Sequence, residues 1–386
     1  MGFTQRIIFL LLAVSHVSSD IESDKAMEPE NISPAKFEAL HYAKLKLQSL
    51  LTKLKDFWEE LQTLLSSVLV GLGDKVNSKE LRLVVAVWRH GSRAPVTNFF
   101  RLPDDQIAAQ WPKGLAELTT KGIREQRLLG EFLQERYKEF MTNYSTETTL
   151  DVTYANCPPP YRPFISKVAQ SSSEKSVSLI DPKLLQLLEV KLGRKLHKIE
   201  LFLLAETIIC YNYDGRTSLL PEWLNIPGVY EKVEQSYAMA LFAQQMNPEV
   251  QRLRGSNLFK EIADRLTKKA TEGEANKLQF IGYSTHDMTL LALLADWGVL
   301  EPRLFPEFSS CIMVELYERA SIHYIEIWYR RGHGKKLVQL KVKDCKEPCK
   351  LQEFVAIAEK YASVNITADC EKFKEQGLKF VDQKLI

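Results

Sequence analysis

The segment Leu81 to Trp88 reads LRLVVAVW, a nearly continuous apolar run of strand length, and it ends abruptly in the loop sequence RHGSRAP. A run so short and so rich in valine predicts a strand buried on both faces, as in a parallel sheet. A helix follows from about Leu118 to Phe140, with Ile123, Leu128, Leu129, Phe132 and Leu133 on one side and the charged residues on the other. The order recurs at Leu278 to Thr285, LQFIGYST, which leads into His286 and Asp287 and then the apolar helix MTLLALLADWG. Strand, loop and helix, twice over, is the grammar of an open α/β sheet whose ligands lie at the carboxyl ends of its strands. Cys311 to Tyr329 alternates instead: CIMVELYE and HYIEIWY, separated by Arg319, Ala320 and Ser321, predict an antiparallel pair. Leu184–Phe202 and Val229–Lys269 are helical in pattern and predict a cap over about residues 165–269.

The N-terminus sets the compartment. Arg6 precedes an apolar run from Ile7 to Val14, and Val17, Ser18 and Ser19 supply the small residues of a cleavage site, so residues 1–19 read as a signal peptide. The run is shorter than the roughly 20 residues that span a bilayer, and no later stretch is charge-free for long enough to do so. A secreted or lysosomal lumenal protein is expected, with no transmembrane segment. N-x-[ST] acceptors at Asn31, Asn143 and Asn365 fit a glycoprotein on that route. In an oxidising lumen the six cysteines can form up to three disulfides. With 51 Lys and Arg against 49 Asp and Glu, the net charge of +2 gives no electrostatic reason to expect nucleic acid as a partner.

Residues 20–35 read as a flexible leader. From residue 36 to 71 an amphipathic helix is expected, because Leu47, Leu51, Leu54, Trp58, Leu61, Leu65 and Val68 follow at alternating gaps of four and three. Gly71 and Gly73 end it. Its seam has two readings: it pairs two chains into a homodimer, or it docks on the chain's own body. Residues 79–386 form the remaining domain.

Arg89, His90 and Arg93 crowd the end of the first strand. Two guanidinium groups beside an imidazole suit a phosphate, since arginine matches phosphate oxygens bidentately and stays charged. Arg89 and Arg93 are then phosphate-binding residues and His90 the nucleophile. Asp287 is the candidate acid for a departing alcohol, because a carboxyl group beside an anion keeps its proton to higher pH. His286 is a phosphate hydrogen-bond donor. No cluster has metal-ligand spacing, so no metal or cofactor is expected, and His41, His197, His323 and His333 read as surface or packing residues.

RHGSRAP, followed far downstream by His286-Asp287, resembles the histidine acid phosphatase family, especially its lysosomal and prostatic type. WPKGLAELTTKGIREQRLLGEFLQERY, Trp111 to Tyr137, resembles that family's first helix region, and KLQFIGYSTHD its second active-site strand. The resemblance extends from about Glu80 to about Cys370. It implies an α/β fold class: a phosphoglycerate-mutase-like open mixed sheet with flanking helices and a smaller helical cap, here preceded by the extra N-terminal helix. It implies hydrolysis of phosphate monoesters at acidic pH, with a small phosphate monoester or a phosphoprotein as substrate. His90 becomes the phosphohistidine and Asp287 the proton donor; Arg89, Arg93 and His286 hold the phosphate. It also implies the pairs Cys157–Cys370, Cys210–Cys311 and Cys345–Cys349.

One departure stands out. The family pattern carries, between its first helix and the cysteine matched by Cys157, a strand ending in an Arg-Ser-Thr-Asp type sequence whose arginine also binds phosphate. Here MTNYSTETTLDVTYANC reaches Cys157 roughly fifty residues early, and no arginine stands in it. A local match at Ala169-Gln170-Ser171 puts glutamine in that place. Loss of one preorganised donor typically slows chemistry about a hundred- to a thousandfold. An active acid phosphatase and an impaired member that binds phosphorylated ligands are the two readings. A cytosolic phosphoglycerate-mutase-like phosphotransferase is disfavoured by the signal segment and the cysteines.

Overall fold

The central strand, β1 (Leu81–Arg89), is apolar on both faces because both faces are covered. The computed structural model describes residues 80–141, 146–149, 182–196, 198–225, 228–245, 248–301, 305–362 and 365–372. The signal segment, the leader, the heptad helix, Asn31, Asn143, Cys157, His41 and His197 lie outside them. The remaining strands are β2 (Thr146–Thr149), β3 (Phe280–Thr285), β4 (Cys311–Arg319), β5 (Ile322–Arg330) and β6 (Leu337–Leu340), and the sheet order is β2-β3-β1-β4-β5-β6. β1 runs parallel to β3, with Arg89 opposite Thr285, and antiparallel to β4, with Trp88 opposite Cys311. The parallel neighbour expected from the apolar run is β3, and with β4 antiparallel on the other side the sheet is the open mixed one of the expected fold class. β4 and β5 form the expected antiparallel pair, closed at Ala320 (φ 49°) and Ser321 (φ 63°), the backbone of a two-residue hairpin turn whose twist matches the strands.

Eight helices complete the described elements discussed below: α1 (Asp104–Gln110), α2 (Thr120–Tyr137), α3 (Pro182–Leu192), α4 (Lys198–Tyr213), α5 (Val229–Gln244), α6 (Pro248–Glu272), α7 (Asp287–Asp296) and α8 (Leu351–Tyr361). Alternation along β1 divides the core. Leu83, Val85 and Val87 pack with Ile281, Ile312 and Val314 against Phe259 and Ile262 of α6, Leu290 and Leu294 of α7, and Phe354 of α8. Val84 and Ala86 face the other way, with Met313, Leu129 and Tyr137. That second face carries a buried charge. Glu315 accepts from Arg136 Nη2 at 2.8 Å, Tyr137 Oη at 2.6 Å and Tyr317 Oη at 2.7 Å, which joins α2 to β4.

Thr119 caps α2 by accepting from the Gly122 amide at 3.1 Å. Ile123, expected on the buried side of this helix, is 48% exposed. The inward seam begins instead at Gly122, where a Cβ atom would collide with the Ser92 carbonyl, and continues through Leu129 to Tyr137. The cap is also smaller than expected. α3, α4 and α5 share a separate core, in which Leu188, Ile208 and Val233 meet Trp111, Leu291 and Phe308. α6, placed in the cap by its helical pattern, packs on the sheet.

Candidate active site

Because β1 and β3 are adjacent and parallel, their loops leave the sheet on the same edge, where the carboxyl ends of strands offer ligand sites. The His90 amide donates to Thr285 O at 3.1 Å, and the rings of His90 and His286 lie 5.3 Å apart, edge to face. The two expected halves of the site are thus brought together. His286 is exposed at the N-cap position of α7, and Asp287 is buried in that helix's first turn.

His90 Nδ1 lies 2.8 Å from Gly91 O. A carbonyl only accepts, so Nδ1 carries the hydrogen and Nε2 keeps its lone pair. Burial, then the charge of Arg89, pulls the His90 pKa down to about 3, so the ring is neutral even in acid.

The two arginines are each tied to a carboxylate. Arg89 Nη2 is 2.9 Å from Asp287 Oδ2, its Nη1 donates to Pro306 O at 2.8 Å, and the Phe308 ring lies 4.1 Å from the guanidinium carbon. Arg89 Nε is buried, with no acceptor among the described residues. Arg93 Nη1 is 2.5 Å from Glu206 Oε1, and the buried Glu206 also accepts from the Val96 amide at 3.3 Å. Burial works against the Arg93 charge, but Glu206, with Cys210 and Asp287, more than offsets it and the pKa stays above the ordinary arginine value. Asp287 Oδ1 accepts from the Met288 amide at 2.7 Å. Burial alone would raise the Asp287 pKa; Arg89 and the neighbouring His90 outweigh it and hold the carboxyl below its usual range. The expectation that Asp287 holds its proton to higher pH concerns the anion-bound site; in the ligand-free site Arg89 is its nearest charge.

The loop is held from outside by residues that the sequence did not single out. Ser92 donates through its amide and hydroxyl to Glu125 Oε2 at 2.8 and 2.9 Å. Gln126 Nε2 donates to Arg89 O at 3.2 Å and to Ser309 Oγ at 2.7 Å. Glu206 had a sequence signal: it is an acid in the middle of the apolar helix KIELFLLAETIICYNY, where an unpaired charge would be costly.

Cys345 and Cys349 are bonded, as the resemblance implies. Cys370 is disulfide-bonded. The implied Cys210–Cys311 pair is corrected: both are free, buried thiols. Cys210 belongs to the cap core and its Sγ lies 3.3 Å from Glu206 Oε1, whereas Cys311 belongs to the α2 side of the sheet. Asn365 is exposed, and its Oδ1 accepts from the Ala368 amide at 3.0 Å. Among the described residues no group of three or more His, Cys, Asp and Glu could hold a metal ion.

A neutral histidine between two arginines faces a second loop with a buried carboxyl on a mixed α/β sheet, an arrangement chemically suited to phosphoryl transfer through histidine. The family model of the histidine phosphatase superfamily (branch 2) matches residues 200–330. Putative acid phosphatase 5 of Caenorhabditis elegans is 26% identical over 347 residues, covering 77% of this chain and 80% of that protein. Prostatic acid phosphatase of Bos taurus is 26% identical over 372 residues, covering 81% and 94%. Lysosomal acid phosphatase of Rattus norvegicus is 24% identical over 351 residues, covering 77% and 81%. In fold, the apo form of Hafnia alvei phytase superposes with a TM-score of 0.53 at 13% identity, covering 75% of this chain and 98% of that one. These matches support the resemblance to the histidine acid phosphatase family, in branch 2 of the histidine phosphatase superfamily. The relatives named acid phosphatase support phosphatase activity.

Proposed function

We propose that this chain hydrolyses phosphate monoesters through a phosphohistidine on His90, with Asp287 as proton donor. The observation that carries the reading is the Nδ1 contact to Gly91 O, which leaves a neutral Nε2 between two guanidinium groups. Arg89 and Arg93 bind the phosphoryl oxygens, Arg89 Nε offers a donor with no acceptor among the described residues, and His286 adds another from the second loop. Nε2 attacks phosphorus, the ester P–O bond breaks, and the leaving oxygen takes the Asp287 proton. Water then attacks the phosphohistidine and gives its proton to Asp287, which releases phosphate and restores both groups.

In the free site Asp287 is ionised against Arg89. A bound phosphate offsets the Arg89 charge and adds a negative one beside the carboxyl, and both raise the Asp287 pKa. Substrate thus creates its own acid, and low pH favours the protonated form. Assay with an aryl phosphate at pH 5 tests the mechanism. His90→Ala abolishes turnover; release of phosphate at the unsubstituted rate would overturn the assignment.

The second reading, a family member that binds phosphorylated ligands without efficient turnover, is favoured by one observation: β2, TETT, sits at the sheet edge beside β3 and contains no arginine. Vanadate or inorganic phosphate binding without turnover, lost in Arg89→Ala, supports that reading. A secreted or lysosomal lumenal location, glycosylation at Asn31, Asn143 and Asn365, and homodimer formation through residues 36–71 complete the proposal. Among the described residues no helix is long and apolar enough to cross a membrane.

A further inference from the structure

The cap helix α5 carries a polar group that the phosphate loops do not use. Val233, Tyr237 and Leu241 follow at intervals of four and form the buried face of this helix in the cap core. The Tyr237 ring packs with Phe202 and Phe305, their ring centres 5.0 Å and 6.3 Å away. Both neighbours belong to segments that anchor an arginine of the site. Phe202 precedes Glu206 by one turn of α4, and Glu206 holds Arg93. Phe305 precedes Pro306, whose carbonyl accepts from Arg89 Nη1. Tyr237 is therefore packed where the anchors of the two arginines meet.

The charges that act on its hydroxyl agree with that placement. They are, in decreasing strength, Asp287, Arg89, Glu206 and Arg93, the members of the site's two ion pairs. Burial, and then Asp287, push the Tyr237 pKa well above the ordinary tyrosine value, so the hydroxyl keeps its proton throughout the acid and neutral range. It has no hydrogen-bond partner among the described residues and, unlike Arg89 Nε, it is not sealed from water. An unmet hydroxyl among apolar rings is destabilising, and phenylalanine would fill the same space without that cost. We propose, on the assignment of Arg89 and Arg93 to phosphate, that Tyr237 is a further phosphate-binding residue whose hydroxyl donates to a phosphoryl oxygen held between them. The donor is neutral, so it orients one oxygen without adding charge to the site.

Inorganic phosphate is the probe, titrated calorimetrically at pH 5 into the full chain, Tyr237→Phe and Arg89→Ala. Tyr237→Phe is expected to bind phosphate about tenfold more weakly, as loss of a hydrogen bond to a charged group does. Its thermal unfolding midpoint is expected to stay equal or to rise, because no partner within the protein is lost. Unchanged phosphate affinity in Tyr237→Phe beside weakened binding in Arg89→Ala overturns the role of Tyr237 and leaves the assignment of the arginines standing. Unchanged affinity in both variants overturns that assignment, and the role of Tyr237 with it. A lower unfolding midpoint in Tyr237→Phe also overturns the proposal, since the hydroxyl would then be bonded within the fold. Should Arg89→Ala fail to fold, Arg89→Lys takes its place, keeping the charge and losing the bidentate fork.

Discussion

At the scale of single residues, a neutral buried histidine is both the reactive group and a weak point in acid. The His90 pKa falls from 6.5 to about 3, so the unfolded chain takes up a proton below about pH 6.5 that the folded chain refuses until about pH 3. Stability from this group is present above the unfolded value and is lost as pH falls toward the folded one. At pH 5 the loss is about 2 kcal/mol relative to pH 8. Urea unfolding of the unsubstituted chain and His90→Asn at both pH values checks it: the variant's stability drops by about 2 kcal/mol less. Equal drops would mean that His90 titrates normally. Glu206 is the second residue with a specific prediction. It holds Arg93 and touches no reacting atom, so it is a positioning residue. Glu206→Gln leaves Arg93 buried with a neutral partner, which costs about 3 to 5 kcal/mol of stability. In the same variant KM for an aryl phosphate is expected to rise about tenfold with kcat changed far less, the pattern of lost ground-state positioning. A fall in kcat with KM unchanged would place Glu206 in the chemistry itself.

At the scale of elements, the site is a contact between β1's loop and the first turn of α2. Gly91 and Gly122 lie back to back, and a Cβ on either would collide with the other segment's backbone carbonyl. Gly122→Ala is expected to destabilise by about 1 to 3 kcal/mol, as overpacking does, and to lower activity because the displaced loop carries Arg89, His90 and Arg93. Thermal unfolding and an aryl phosphate assay of the one variant read both effects; an active variant of ordinary stability would show that the two backbones can part. Much of this architecture was legible from sequence. LRLVVAVW and LQFIGYST are local patterns whose strand, loop and helix order puts His90 and Asp287 on one edge. Glu206 and Glu125 act through contacts 113 and 33 residues away in sequence, with Arg93 and Ser92, and no local pattern reports such pairing. The exposed Ile123 failed for a related reason: periodicity locates an apolar face, whereas the close approach of Gly122 to Ser92 sets how the helix is turned.

At the scale of the whole molecule, the charges of the site nearly cancel before substrate arrives. Arg89 is neutralised by Asp287, Arg93 by Glu206, and His90 is uncharged. The resemblance calls for a third guanidinium, delivered by a strand between α2 and Cys157, and at the sheet edge beside β3 the chain presents TETT instead. A third positive group without its own carboxylate would leave the empty site with a net attraction for a phosphate, and in the transition state it would meet the charge that spreads over the equatorial oxygens. On the proposed reading in which it is absent, attraction rests on protonation of Asp287, which frees Arg89. Phosphate affinity should therefore rise as pH falls, more steeply than in relatives that carry the third arginine. The rate should lie about two to three orders of magnitude below that of bovine prostatic acid phosphatase in a parallel assay at pH 5, the usual effect of deleting one preorganised donor. Phosphate inhibition constants between pH 4 and 7, measured for both proteins with kcat, check the two expectations together. A matching rate and a flat phosphate affinity would mean that another cation of this chain fills the third position; a slow rate with a steep affinity would trace the deficit to the missing guanidinium.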